Sequence, residues 1–340
     1  MAKINLLTIH WGNCYGAVMQ TLATCQILRE LGHDVSVINL IPKGSWKKYI
    51  NLKSWAFILQ DFQFYKFKHR YFKFMTRRMS RVKKSMLPRA DFTVVGSDQV
   101  WNKDITGYLS KDFFLSFLDD ADKRFSLASS FGKYKWTEDE RCTSEVKCAL
   151  KKFLKVSTRE DSGVEICKNI FEVEAVQLID PTLVCETFTN LVKKEKEQIA
   201  IYTFLYHQNE KVMRILDLFE CESKLPMLKR SYFSIVLHSG PLDWLNNIYN
   251  SRFVITDSFH CVAFCIIFKK QFAVVCGNRS QFTRIESLLT LLQLQNRIVD
   301  SPDRIKIAEI VNNKIDYNPV SKILELEAER YKQFVNEVMS

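Results

Sequence analysis

Apolar residues in this chain come in short unbroken runs, and between the runs they recur every three to four positions. That is the pattern of buried strands alternating with amphipathic helices. In the first half, 3–9, 34–40, 91–96, 125–129, 153–157 and 175–179 read as strands, with helices predicted over 17–31 and 137–152. A charged stretch, Lys193-Lys194-Glu195-Lys196-Glu197, interrupts the pattern and reads as a linker. Strands then follow at 198–205, 233–237, 253–256 and 271–276, with helices at 210–220, 241–250, 262–268 and 282–292. Two amphipathic helices, 302–313 and 321–339, close the chain. Regular strand–helix alternation predicts an α/β protein of two Rossmann-like domains, 1–192 and 193–320, facing a cleft, with a C-terminal helix over 321–340. Ligands of such sheets bind at the carboxyl ends of the strands, so the polar turns there are the candidate sites.

One segment breaks the pattern. Between 43 and 89 aromatic residues (Trp46, Tyr49, Phe62, Phe64, Tyr65, Phe67, Phe72 among them) are interleaved with Lys and Arg. There is no glycine after Gly44 and no proline before Pro88, so one or two inserted helices are predicted. Residues 43–84 hold thirteen Lys or Arg and one acid, Asp61, a charge of +12 against +11 for the whole chain. Basic and aromatic interleaving suits a helix lying on an anionic membrane surface. Single-stranded nucleic acid and a plain solvated lid are the competing readings.

With 340 residues, 47% of them apolar and only 10 Gly and 7 Pro, the chain can fill two cores and is neither disordered nor repetitive. The ten cysteines are scattered, without a CxxC pair or zinc spacing, so reduced thiols, a cytoplasmic protein and no metal are expected. The apolar run at 4–9 is too short for a signal peptide and ends in His10-Trp11-Gly12-Asn13 without a small-residue cleavage site.

The strand-to-helix turn after 253–256 carries the clearest chemistry. In Asp257-Ser258-Phe259-His260, Ser258 can cap the helix, Asp257 can orient an imidazole, and His260 can exchange a proton near neutral pH. Asp-Ser ahead of an apolar helix is also ordinary capping chemistry. The loop His10 to Gly16 has two glycines, with Asn13 and Tyr15 at the head of a helix, but lacks the third glycine of a dinucleotide fingerprint. Ser97-Asp98-Gln99-Val100-Trp101-Asn102 gathers hydrogen-bonding groups beside an indole, a combination that suits a sugar. Arg159, also at a strand end, suits a carboxylate or phosphate, or an ion pair with Glu160 or Asp161. Arg284 sits in the first turn of a predicted helix, where a cation opposes the helix dipole, and Arg279 lies just ahead of it.

Seven runs in order resemble the polysaccharide pyruvyl transferase family: Asn13-Cys14-Tyr15-Gly16-Ala17-Val18-Met19-Gln20, Val95-Gly96-Ser97-Asp98-Gln99-Val100-Trp101-Asn102, Ser129-Ser130-Phe131-Gly132, Arg159-Glu160-Asp161-Ser162-Gly163, Asp180-Pro181-Thr182-Leu183, Thr256-Asp257-Ser258-Phe259-His260, and Arg284-Ile285 through Leu288-Leu289. The resemblance implies a GT-B-like fold. It also implies transfer of pyruvate from phosphoenolpyruvate to two hydroxyls of a hexose, as a ketal across the 4- and 6-hydroxyls of a galactose in a capsular or exopolysaccharide precursor. Phosphoenolpyruvate is then a co-substrate, and neither a cofactor nor a metal is required. His260 and Asp98 become the catalytic candidates. Arg159, Ser258, Arg284 and Arg279 would hold the donor, and Asn13, Tyr15, Gln99 and Trp101 the acceptor. The family's His is commonly followed by Gly, where this chain has Cys261. An acceptor on a polyprenyl diphosphate would give the basic segment a role at the inner face of the cytoplasmic membrane. A nucleotide-sugar glycosyltransferase of the same architecture is the enzyme alternative. A membrane-surface or nucleic-acid-binding module with a decayed site is the non-enzyme one.

Overall fold

The structure, a computed structural model, describes residues 1–43, 54–195, 199–228, 239–277, 279 and 282–340, with the backbone alone for 54–57. It divides into two compact units, Met1–Cys185 with Leu326–Ser340, and Glu186–Glu325. Among the described residues no helix is long and apolar enough to cross a membrane.

In the first unit β1 (Lys3–Leu7), β2 (Asp34–Val37), β3 (Phe92–Val95) and β4 (Arg124–Ser126) form a parallel sheet in the order β2-β1-β3-β4. β3 is buried along its whole length and β1 from its second residue, because helices cover both faces of a parallel sheet; hence the unbroken apolar runs in the sequence. β5 (Val156–Thr158) and β6 (Ala175–Gln177) pair in parallel. They extend the sheet past β4 through the Ser129–Thr158 bridge. Hydroxyls stitch that junction: Ser157 N–H donates to Ser126 Oγ (2.7 Å), and Ser157 Oγ to the Ser126 carbonyl (2.7 Å). The resulting order 2-1-3-4-5-6 reverses direction between β1 and β3, which places a topological switch point at their carboxyl ends.

The inserted segment is helical over Ser54–Tyr71 and packs through Phe64 and Phe67. Its continuation differs from a second helix. Met75 and Met79 bridge in parallel to Val37 and Leu40, so the chain runs along β2 and covers what would be an open sheet edge. Arg29 fixes the turn into this run, donating to the Phe72 carbonyl (2.7 Å).

The second unit has β7 (Ile199–Phe204), β8 (Ser251–Thr256), β9 (Gln271–Val275) and β10 (Ile298–Val299), all parallel, in the order β10-β9-β8-β7. Met227 bridges to the other side of β7 at Ile201. The chain therefore leaves β7 outward and returns inward to β8, and the switch point here lies between β7 and β8. The strand expected over 233–237 lies outside the described residues. In the charged stretch, Lys193 N–H donates to Asn246 Oδ1 (2.8 Å) and Glu195 N–H to Asn250 Oδ1 (2.9 Å), which ties residues 193–195 to this unit.

His10, just past β1, is fully buried. Its Nδ1 lies 3.1 Å from the Thr8 carbonyl and its Nε2 3.2 Å from the Asn39 side-chain amide, which links the ends of β1 and β2. Burial disfavours the charged ring and lowers its pKa to about 4 from 6.5, with the two hydrogen bonds offsetting part of that. As pH falls below 6.5 the unfolded chain takes up a proton that the folded one refuses. The His10 contribution is therefore whole above pH 6.5 and is lost toward pH 4, about 3 kcal/mol in total. Urea unfolding of wild type and His10→Gln across that window should give a stability difference that shrinks as pH falls; a difference independent of pH would refute it.

Candidate active site

The switch point of the second unit holds a carboxylate–imidazole pair. The Asp257 side chain, just past the end of β8, is buried, and its carboxylate accepts three N–H groups that all come from the end of β7. Tyr206 N–H donates to Oδ1 (2.7 Å), while His207 N–H (2.9 Å) and His207 Nδ1 (2.8 Å) reach Oδ2. With Nδ1 as the donor to Asp257, the ring's Nε2 is the site for exchanging a proton. The His207 side chain remains 36% exposed. Gly277, past β9, closes against it: a Cβ there would lie 2.8 Å from His207 Cβ. Beside it Asn209 caps the helix Glu210–Ser223, and Lys211 in its first turn donates to the Cys276 carbonyl (2.8 Å).

Asp257 does orient an imidazole, but the ring it holds is that of His207 and not of His260. The sequence reading missed His207, although Tyr206-His207-Gln208-Asn209 is a polar turn at a strand end like the one that drew attention to 257–260. Ser258 caps the helix Phe259–Ile267 as expected, its Oγ accepting from Cys261 N–H (3.5 Å). His260 is buried in the first turn of that helix, edge-on to Phe259 at 5.2 Å. The Arg284 guanidinium lies 5.9 Å from the Phe259 ring centre, which brings it to the same helix end. Arg279 is exposed and pairs with Glu286 (2.9 Å). Cys261 is fully buried, and burial, followed by the hydrogen bond with Cys261, pushes the Cys265 thiol well above its ordinary value. The thiol in place of glycine is thus absorbed by helix packing.

In the first unit, strand ends converge on a buried ion pair. Arg159 Nη1 donates to Asp180 Oδ2 (2.5 Å), and the same oxygen accepts from Ser97 Oγ (2.9 Å). Thr182 completes the carboxylate through its Oγ1 (2.6 Å) and N–H (3.0 Å). Asp98 Oδ1 stands 3.8 Å from Arg159 Nη2 and accepts from Gln99 N–H (2.8 Å). The Arg159 partners differ from the neighbouring acids considered in the sequence. Glu160 is engaged elsewhere, its Oε1 accepting from Ser130 Oγ and from the N–H groups of Phe131 and Gly132. Arg159 therefore braces β3, β5 and the exit of β6, and a donor-gripping role is not what its contacts describe. Asp98 has φ +81°, an uncommon conformation for a non-glycine residue, at the strand end beside the switch point.

Trp101 corrects the sequence reading most clearly. Its indole is 1% exposed, stacks on Phe114 at 8° and donates from Nε1 to the Phe113 carbonyl (3.1 Å), so it belongs to the core and not to a sugar platform. Gln99 is half-buried and accepts from Asn102 Nδ2 (2.9 Å). It packs over Gly132, whose φ is +64° and where a Cβ would lie 2.1 Å from Gln99 Oε1. Asn13 and Tyr15, at the head of the helix Tyr15–Glu30, both meet the inserted helix: Asn13 Nδ2 donates to Gln60 Oε1 (2.9 Å), and Gln60 Nε2 to the Tyr15 hydroxyl (3.2 Å). A cavity of about 610 Å³ between 103–116 and the helix Glu140–Leu150 contains none of these residues. Its rim charges are largely paired, Lys103 with Glu138 and Lys111 with Glu145.

A family model described as polysaccharide pyruvyl transferase matches residues 15–278. No curated protein matches the chain. Among solved structures, MnaA of S. aureus, in a co-structure with UDP, is similar with a TM-score of 0.53 at 11% identity, the match covering 100% of this chain and 98% of that one. Arabidopsis thaliana UGT89C1 complexed with UDP-L-rhamnose is similar with a TM-score of 0.52 at 11% identity, covering 99% of each chain. At such identity the likeness concerns the fold, a mixed α/β architecture of the Rossmann-like, two-domain GT-B type.

Because Asp180 carries the Arg159 charge inside the protein, Asp180→Ala should cost about 3–5 kcal/mol in urea unfolding by leaving a buried cation unpaired. Asp98→Asn, at the longer separation, should cost clearly less; equal losses would refute Asp180 as the main partner of Arg159.

Proposed function

From the premise that the chain belongs to the polysaccharide pyruvyl transferase family, we propose that it transfers the pyruvyl group of phosphoenolpyruvate to two hydroxyls of one hexose. The acceptor in this reading is a galactose-type sugar on a polyprenyl diphosphate, an intermediate of capsular or exopolysaccharide synthesis. Such a substrate would bring the enzyme to the inner face of the cytoplasmic membrane. The second unit takes the donor and the first the acceptor.

The observation that carries the chemistry is the His207–Asp257 pair beside the Ser258-capped helix. Ketal formation needs a proton delivered to the methylene carbon of phosphoenolpyruvate and a proton removed from the attacking hydroxyl. The hydroxyl then bonds to the cationic carbon, the carbon–oxygen bond to phosphate breaks, and the second hydroxyl closes the ring as its proton passes to the departing phosphate. An imidazole fixed at Nδ1 by a buried carboxylate is suited to take the hydroxyl proton at Nε2. His260, in the buried first turn, is the candidate for protonating the methylene. Arg284, Lys211 and the positive end of the helix Phe259–Ile267 favour phosphate and carboxylate, with Arg279 at the exposed margin. On the acceptor side, Asn13, Tyr15, Asp98 and Gln99 supply amide, phenol and carboxylate groups for sugar hydroxyls. The same features suit the diphosphate of a nucleotide sugar, and the two solved structures above were obtained with UDP and UDP-L-rhamnose.

Phosphate release from phosphoenolpyruvate with a panel of lipid-linked hexosides, checked by the mass of the ketal product, tests the reaction. His207→Ala and Asp257→Asn should each lower kcat by about 10²- to 10⁴-fold while the fold persists. His260→Ala should abolish release, and Arg159→Lys should act through stability. Thermal stabilisation by a nucleotide sugar, with none by phosphoenolpyruvate, would replace the pyruvyl donor with a glycosyl donor.

A further inference from the structure

We propose that the outer face of the helix Ser54–Tyr71 docks this protein on an anionic lipid surface. The helix has two apolar faces. One, through Phe64 and Phe67, is buried against the first unit and accounts for the helix being held. The other is left in solvent: Ile58, Phe62 and Tyr65 are 47%, 50% and 61% exposed, and their spacing puts them in one stripe. Leu59 flanks the stripe, and Phe74, 60% exposed, follows shortly after the helix. The stripe is not needed to fill the core, yet it sets three large apolar side chains in water.

The charge around the stripe selects the occupant. Lys66 lies over the Phe62 ring at 4.3 Å and Arg70 over the Tyr71 ring at 5.4 Å, so cations border the rings. Lys73, Arg77 and Arg78 are exposed just beyond. Rings and aliphatic tips flanked by long cationic side chains fit a boundary where acyl chains meet anionic headgroups, since each residue then places its apolar part inward and its charge at the headgroups. A second copy of this chain fits badly, because it would bring another segment of +12 against this one.

The helix also touches the proposed acceptor loop, through the Gln60 contacts with Asn13 and Tyr15 and the Tyr15–Phe64 ring contact at 5.2 Å. On the transferase reading, on which this last step alone rests, a docked helix presents the Asn13–Tyr15 loop to a sugar carried by a membrane lipid.

Flotation with phosphatidylcholine vesicles, with and without phosphatidylglycerol, tests the surface on the full chain. The protein should float with the anionic vesicles, less so in high salt, and not with neutral ones. Phe62→Ser with Tyr65→Ser, and separately Lys66→Glu with Arg70→Glu, should each lower vesicle affinity at least about tenfold, whereas Ile105→Ser, an exposed apolar residue elsewhere, should not. Wild type that stays unbound, or variants that float like wild type, overturn the proposal. Self-association dispersed by Phe62→Ser, or single-stranded nucleic acid binding lost in the same variants without vesicle binding, would assign the face to that partner instead. Turnover of a water-soluble acceptor should survive these substitutions. If phosphoenolpyruvate is not turned over at all, the transferase reading falls while flotation still decides the face.

Discussion

Parallel strands deliver their carboxyl ends to one edge of a sheet, and the polar groups gathered there must find partners where water is scarce. In the second unit the Asp257 carboxylate satisfies that demand. By accepting from Tyr206 N–H, His207 N–H and His207 Nδ1, it joins the ends of β7 and β8 across the switch point and fixes one imidazole tautomer. The cap of the following helix, the close approach at Gly277 and the position of Lys211 are all arranged around this pair. One buried carboxylate therefore both closes the sheet edge and orients the group best suited to proton transfer.

The first unit meets the same demand differently. Asp180 is saturated by Arg159, Ser97 and Thr182, so its charge is spent on joining strand ends. A charge neutralised and buried this way is costly to disturb and poorly placed to receive a substrate. In the proposed reading, the acceptor meets the loop at the β1 carboxyl end, with Asn13 and Tyr15, and the turn of Asp98 and Gln99. In the second, the Asp98 carboxylate faces Arg159 at 3.8 Å, a looser pairing than the 2.5 Å one of Asp180. The inserted helix supports the first of these through Gln60, which ties the insertion to the candidate acceptor side.

The alternation of runs and periodic stretches made the α/β class and most elements legible, because burial on both faces of a parallel sheet writes itself into unbroken apolar runs. The turn at 257–260 was legible for the same reason: a strand end and a helix cap are local events, and Ser258 does cap the helix. The insertion was half legible. Its lack of breakers gave the helix, but the run along β2 is a long-range pairing of Met75 and Met79 that no local pattern encodes.

Partnership was not legible. The sequence placed Asp257 near a histidine, but whether that ring was His260, three residues on, or His207, in a different strand's turn, depended on β7 lying beside β8. Arg159 offered adjacent acids and chose Asp180, past the end of the strand next to its own. Trp101, beside four hydrogen-bonding residues, turned into the core because Phe113 and Phe114 fold back beneath it and the Phe113 carbonyl takes its N–H. Sequence alone determined which residues lie at strand ends and helix starts, since periodicity and capping act over a few residues. Tertiary structure decided which of those residues meet, because strand order sets the neighbours and each buried polar group takes the partner that order supplies.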